Sequence, residues 1–166
     1  MARSWHVLII PALALGVLVH QMVFALRVAS ADVAYFNIER EVVFWGDGDH
    51  RPTTEQVSGV QAALYSAIAQ RPHYADYLSM QARLFAWQGL LATTPAAANE
   101  QFNQALAVMH GALEVRPGNP YNWAQYAEYL TTQPARRQEL VMAVDKVRQL
   151  GPGDVDLQKR MQALLR

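Results

Sequence analysis

The sequence contains no cysteine among its 166 residues. This excludes disulfide bonds, thiolate metal sites, a cysteine nucleophile and a lipid-modified cysteine. The chain also has no surplus of charge of either sign, because 14 lysines and arginines balance 14 aspartates and glutamates. Domains that bind nucleic acids usually carry a clustered basic surplus. We therefore expect no nucleic acid partner.

The sequence also lacks the common catalytic and metal-binding motifs, including G-x-S-x-G, the P-loop and H-E-x-x-H. Asp47, Asp49 and His50 resemble the start of a calcium loop, but Arg51 and Pro52 occupy the next positions. Aspartate and glycine are typical turn residues, so this segment is interpreted as a turn. We expect no enzymatic activity, no cofactor and no bound metal.

What the chain does have is one long apolar run. Trp5–Leu26 is 22 residues without an acid or a base, and Arg3 and Arg27 bracket it. As a helix it would be about 33 Å long, enough for the hydrocarbon core of a bilayer. The run predicts a membrane anchor that contacts the bilayer through residues 5–26.

The apolar character of this run is weakened by His6, Pro11, His20 and Gln21, and Trp5 lies at its start. Tryptophan is frequent at membrane interfaces, and a proline is tolerated in the first turns of a helix. Both histidines lie near an end of the span, where a neutral imidazole can reach the interface. We expect the span to be an anchor, and a proton or cofactor role for the histidines is the minor alternative.

The sequence Ala29-Ser30-Ala31 is a possible signal-peptidase site, so a cleaved signal peptide is the competing interpretation. The apolar run is longer than the usual signal-peptide core, and Arg27 separates it from this site, which favours a retained anchor. Lysine and arginine counts do not decide the orientation. A short N-terminal flank is typical of signal anchors, so we expect a single-pass protein of the bacterial inner membrane with a periplasmic body.

The rest of the chain is predicted to be helical. We divide the sequence into an anchor (1–30), a juxtamembrane helix with a Gly/Asp turn (31–52) and a helical domain (53–166). Capping residues, prolines and apolar spacing predict helices over 54–70, 74–91, 99–116, 120–131, 134–150 and from Asp154 to the C-terminus. The connections are short, so neighbouring helices should be antiparallel.

One short sequence motif recurs in this helical domain. AIAQRP ends at Pro72, ALEVRP ends at Pro117, and a degraded copy, VRQLGP, ends at Pro152. The chain resembles the tetratricopeptide repeat family, whose repeats are pairs of antiparallel helices about 34 residues long. Pro72 and Pro117 are 45 positions apart, so we place an insertion of about 11 residues between Leu90 and Gln101. The residues that match the repeat pattern best are Phe102, Ala105, Ala112, Pro117, Pro120, Trp123, Ala127 and Leu130.

This resemblance implies an all-α protein in which an N-terminal transmembrane helix precedes a tetratricopeptide-like stack of about two and a half helical hairpins. Repeats of this kind bind partners on a concave surface. The first helix of each hairpin should line that surface, with aromatic side chains and charges of both signs, which fits a protein partner. The predicted groove residues are Asp76, Ser79, Arg83, Trp87, Tyr121, Glu128, Thr131 and Thr132.

A narrower resemblance covers the whole layout. The chain is similar to the VpsP family of small membrane-anchored proteins of bacterial polysaccharide biosynthesis. The similarity lies in Asp-Tyr-Leu (76–78), Pro-Tyr-x-Trp-Ala (120–124) and Leu-Gly-Pro (150–152), whereas Gly153 stands where that family often has tryptophan. The resemblance implies a non-catalytic scaffold that binds subunits of a membrane complex for envelope polysaccharide biosynthesis or export.

Two alternatives stay open at this point. The first is a tetratricopeptide-type subunit of another membrane complex, for secretion, division or cytochrome maturation. The second is a small-molecule-binding enzyme subunit that uses the membrane histidines.

Overall fold

The fold is all helical, as predicted. A computed structural model describes the backbone of residues 5–166 and the side chains from residue 12 onward, and this part contains no strand. A 3-10 turn (Pro134–Arg136) precedes the sixth α-helix. The seven α-helices are α1 (Trp5–Val42), α2 (Thr54–Gln70), α3 (Ala75–Leu91), α4 (Pro95–Val115), α5 (Pro120–Leu130), α6 (Arg137–Leu150) and α7 (Val155–Ala163).

Helix α2 begins with a capping box. The hydroxyl of Thr53 accepts a hydrogen bond from the Gln56 amide at 3.2 Å, and the Gln56 side chain accepts one from the Thr53 amide at 2.8 Å. Two of the amides that a helix N-terminus leaves unpaired are thereby satisfied. The predicted start of α2 is confirmed.

The start of α4 differs from the prediction. Residues 93–98 were expected to form a loop, but the helix begins at Pro95. The hydroxyl of Thr94 accepts a hydrogen bond from the Ala97 amide at 3.2 Å, so it caps the helix. Proline suits the first helical position, and the alanines that follow have high helix propensity. The residues between Leu90 and Gln101 therefore lengthen α4 and do not form a long loop.

Consecutive helices pack as antiparallel pairs. In the first pair, the Ser30 hydroxyl of α1 lies 3.2 Å from the Gln70 side chain at the far end of α2. In the α3/α4 pair, Gly89 lies against the Phe102 ring at one end. At the other end, Arg116, which follows α4, pairs with Asp76 at 2.8 Å. The third pair joins α5 to α6, and α7 packs on both of its helices.

The C-terminal part of α1 belongs to the helical body. Ala31, Ile38 and Val42 are buried against α2 and α3, whereas the side chains of residues 12–27 are exposed. Helix α1 therefore crosses the expected boundary at residue 30 without a break. The first core contains Ala31, Ile38, Val42, Trp45, Val57, Val60, Leu64, Ala67, Tyr77, Met80 and Leu84.

A second core is formed by buried residues of α3, α4, α5, α6 and α7. Ala127 is completely buried within it, in agreement with its expected role as a small residue between closely packed helices. Trp123 is only half-buried, and its indole nitrogen donates a hydrogen bond to the Pro117 carbonyl at 2.8 Å. The largest fully buried side chains of this core are Leu106, Met109, Tyr126, Leu130, Val144, Val147 and Met161.

Within the described part of the chain, one helix is long and apolar enough to cross a membrane, by length and composition. It is the stretch Ala12–Val42 of α1. His20 and Leu26 are exposed there, as expected for a lipid-facing segment. The side chains of Trp5, His6 and Pro11, and Arg3 as a whole, lie outside the described residues.

Candidate functional site

The odd-numbered helices lie side by side on one surface of the body. The Tyr77 hydroxyl of α3 donates a hydrogen bond to Asp32 of α1 at 2.7 Å. Further along both helices, Arg83 of α3 donates to the Val42 carbonyl at 3.2 Å. The two helices are therefore parallel. A hydrogen bond also links α5 to the start of α7: the Tyr121 hydroxyl donates to Asp154, immediately before α7, at 2.9 Å.

Two adjoining cavities, of about 450 and 440 Å³, open between these helices. They share three lining residues, namely Arg83, Tyr121 and Gln125. We call the combined depression the odd-helix groove. It is lined by Tyr35 and Glu39 of α1, by Asp76, Ser79, Met80, Arg83, Ala86, Trp87 and Leu90 of α3, by Tyr121, Asn122, Gln125, Glu128 and Tyr129 of α5, and by Arg160 of α7.

Six of the eight predicted groove residues line this depression. They are Asp76, Ser79, Arg83, Trp87, Tyr121 and Glu128. Sequence reasoning placed them on one face of two helices, and the structure brings those two faces together across a single opening.

Thr131 and Thr132 do not line the groove, which corrects the prediction. Helix α5 ends at Leu130, and the chain turns away there. Their hydroxyls donate hydrogen bonds to the carbonyls of Glu128 and Tyr129, at 2.6 and 2.8 Å. Both side chains therefore close the end of their own helix. Thr131 lines a different cavity, beside Leu164 near the C-terminus.

The sequence prediction missed several groove residues. Gln125 lies one turn from both Tyr121 and Glu128 on α5, so helical spacing was a sufficient signal for it. Tyr35 and Glu39 gave no such signal, because they lie on the helix that was assigned outside the repeats. Arg160 lies on α7, which the prediction placed inside the helical domain (53–166) without assigning a groove residue to it.

Arg83 is the central charge of the groove, since it lines both cavities. Its guanidinium donates to the Val42 carbonyl, and no ion pair joins it to a described carboxylate. Two nearby acids are already paired: Glu128 with Arg160, and Asp76 with Arg116 at 2.8 Å. The remaining donors of Arg83 form no ion pair with an acid among the described residues, and Arg83 lines both cavities of the groove.

Large apolar and aromatic side chains line the same cavity as Arg83. Tyr121 is 61% exposed and Leu90 is 56% exposed, and Trp87, which lines the same cavity, is half-buried. The hydrogen bond to Asp154 raises the pKa of the Tyr121 phenol, so this side chain stays a neutral donor. The same bond fixes the ring at the rim. Large exposed aromatic and aliphatic groups around a partly exposed arginine are typical of protein-binding surfaces.

Asn122 adds an unsatisfied donor at the edge of the groove. The residue is 5% exposed, and its side-chain nitrogen has no hydrogen-bond partner among the described residues. Its oxygen accepts a hydrogen bond from Asn119 at 3.4 Å. An unpaired buried amide costs about 1–3 kcal/mol.

The Asp47–His50 segment forms a turn, as interpreted from the sequence. Gly46 and Gly48 have φ angles of 87° and 56°, and the Gly46 amide donates to the His50 carbonyl at 2.8 Å. Nowhere among the described residues do three potential metal ligands of the His, Cys, Asp and Glu type cluster.

A comparison with protein-family models gives no match to this chain, and a search of curated proteins gives none either. The site therefore has to be interpreted from its own geometry.

Proposed function

We propose that this protein is a membrane-anchored, non-catalytic scaffold that binds a protein partner in the odd-helix groove. Residues 5–26 would form a single span of the bacterial inner membrane, with the helical body in the periplasm. The observation that carries the proposal is the groove itself. It combines exposed Tyr121 and Leu90, half-buried Trp87 and the unpaired charge of Arg83 in one opening.

The packing supports a tetratricopeptide-like stack as the finer description of the fold. Three antiparallel helix pairs follow one another, and the first helix of each pair lines the groove. The first pair uses the C-terminal part of α1, so the stack would begin earlier than the expected residue 53.

The expected pathway is envelope polysaccharide biosynthesis or export. This part of the proposal rests on the resemblance to the VpsP family in residues such as Pro120, Trp123 and Leu150. Those residues belong to packing and turns, so they support kinship with that family.

The test is co-purification from native membranes with a groove variant. Tyr121→Ala combined with Leu90→Ala removes the two most exposed apolar groups of the groove. We expect this variant to lose its partner, because exposed aromatic and aliphatic anchors supply most of the binding energy at such surfaces.

The matched control is Tyr65→Ala combined with Val115→Ala. These residues are 45% and 46% exposed and do not line the groove. The control should retain the partner, and both variants should keep the helical circular dichroism of the wild type. If the groove variant retains every partner that the control retains, the groove is not the binding site.

A further inference from the structure

The helical body is joined to the proposed span without a flexible linker. Helix α1 is continuous from Trp5 to Val42. The body contacts this helix at Ser30, which bonds to Gln70, and at Ala31, which is completely buried. Only residues 27–29 separate the span from these contacts, and all three are helical. The orientation of the span therefore fixes the orientation of the body.

This connection sets the height of the α2–α3 turn, Arg71–Tyr74. With 1.5 Å of rise per residue, Ser30 and Asp32 lie about 6 and 9 Å beyond Leu26 along the helix. Arg71 bonds to Asp32 at 2.7 Å, and Gln70, at the end of α2, lies beside Ser30. The headgroup layer on each side of the hydrocarbon core is about 5–8 Å thick. The end of α2 beside Ser30 therefore lies within the headgroup layer, and Arg71 beside Asp32 lies at the outer edge of this layer.

The chemistry of the turn fits this level. The Arg71 guanidinium lies 3.9 Å from the centre of the Tyr74 ring, and His73 is exposed beside it. Arg27 is exposed on α1 just below the turn. Arginine and tyrosine are both favoured at membrane interfaces, where a phosphate accepts hydrogen bonds and a phenol ring lies partly in apolar surroundings.

The two turns that flank α2 differ in charge. The turn that joins α1 to α2 contains Asp47, Asp49 and Arg51, whereas the Arg71–Tyr74 turn contains Arg71 and no acid. Asp32 offsets the charge of Arg71, so the exposed Arg27 supplies the net positive charge at this end of the body. Anionic headgroups attract a basic segment, and this charge agrees with the orientation that the continuous helix imposes.

We propose that the Arg71–Tyr74 turn sits on the phosphate groups of the bilayer surface and holds the body upright on the membrane. This inference rests on the proposed membrane span. Tyr35 and Glu39 of the groove then lie about 14 and 20 Å above the hydrocarbon edge. The partner must consequently present its binding segment close to the membrane, so the groove selects a juxtamembrane part of a membrane protein.

Single-cysteine labelling tests the proposal, because the natural chain has no cysteine. The full chain is reconstituted in phosphatidylcholine–phosphatidylglycerol vesicles that carry a nitroxide on the headgroup. A fluorophore is attached at Arg27→Cys, His73→Cys, Asp49→Cys or Thr93→Cys. The labels at 27 and 73 should be quenched at least about twofold more strongly than those at 49 and 93, which lie at the far end of the body.

Each other outcome overturns the proposal in a recognisable way. Quenching at 27 but not at 73 leaves the anchor intact and refutes headgroup contact by the turn. No quenching at 27 refutes the span on which the inference rests. Equal quenching at all four positions means that the body lies flat.

A helix-breaking variant tests the rigid connection separately. Ala29→Pro interrupts α1 between the span and the body. In this background, the label at 73 should lose its quenching while the label at 27 keeps it. Unchanged quenching at 73 would show that the turn binds the membrane without help from α1, and would contradict the orientation argument.

Discussion

Ala127 shows how a single side chain sets the distance between helices. It is completely buried in the second core, so a larger side chain must displace its neighbours. We expect Ala127→Leu to lower the free energy of unfolding by about 1–3 kcal/mol. Urea unfolding of the detergent-solubilised chain, followed by circular dichroism, measures this.

Ala107→Leu is the matched control, since Ala107 is exposed on α4. It should change stability little. If Ala127→Leu is as stable as this control, the helices are not in close contact at residue 127.

Glu139 gives the body a pH-dependent contribution to stability. Its carboxylate accepts hydrogen bonds from Arg136 at 2.6 and 2.7 Å and from the Tyr126 hydroxyl. Burial raises the pKa of Glu139, but these hydrogen bonds and the charge of Arg136 together lower it by a larger amount, so the pKa lies below the ordinary 4.5. Burial and the bond to Glu139 raise the pKa of Tyr126 to about 12, so the phenol remains a donor at neutral pH.

A carboxyl group with a lowered pKa in the folded state stabilises folding above its unfolded pKa. That stabilisation is lost as pH falls through the folded pKa. We therefore expect the melting temperature to fall between about pH 5 and pH 3, and Glu139→Gln to reduce that fall. Equal pH dependence in both proteins would contradict a role for this carboxylate.

Single residues also show what the sequence reveals about the groove. Periodicity on α3 and α5 was sufficient for Arg83 and Tyr121, because residues three and four apart share a helix face. Helical spacing also predicted Thr131 as a groove residue, and this was wrong. The helix has already ended there, and a hydrogen bond to the Glu128 carbonyl determines the direction of the side chain. Contributions from α1 and α7 were not predictable, since they depend on how distant helices are stacked.

At the scale of elements, the turn between α1 and α2 depends on Gly46. Its φ angle is 87°, and an added Cβ would lie 3.3 Å from the Trp87 ring. Backbone in this region costs a residue other than glycine about 1–2 kcal/mol. We expect Gly46→Ala to destabilise the chain by about that amount in thermal or urea unfolding.

Gly153→Ala serves as the comparison. Gly153 has no positive φ angle, and a Cβ there meets nothing within 4 Å. Its stability should therefore stay close to that of the wild type. Equal stability of the two alanine variants would mean that the turn at Gly46 does not have this geometry.

The helix boundaries follow from local signals where those signals are explicit. Thr53 and Gln56 form the capping box that their spacing predicts. Thr94-Pro95 carries an equally good start signal, although residues 93–98 were predicted to form a loop. Helix α4 begins at Pro95 because the Thr94 hydroxyl accepts a hydrogen bond from the Ala97 amide, which would otherwise remain unpaired.

At the scale of the whole molecule, the account requires a retained anchor and an exported body. We expect the mature protein to resist alkaline extraction from membranes and to keep its original N-terminus. A C-terminal alkaline phosphatase fusion should be active. An N-terminus at Asp32 would refute the anchor, and an inactive fusion would refute the orientation.

The overall class of the fold was predictable, but the assembly of the groove was only partly so. Recurring turns at Pro72 and Pro117 predicted stacked antiparallel helices. That α1 packs with α2 as the first helix pair was not predictable, because residues 31–45 carry no copy of the repeated sequence. Burial of Ala31, Ile38 and Val42 against α2 reveals it.

The most direct measurement is site-specific photo-crosslinking in native membranes. A photoreactive phenylalanine analogue replaces Tyr121 in the groove or, as a control, Tyr65 on α2, and both side chains are well exposed. The account predicts a discrete crosslinked product with a membrane protein from position 121 and none with that protein from position 65. A crosslink from position 65 only, or no difference between the two positions, would contradict the groove as the binding surface.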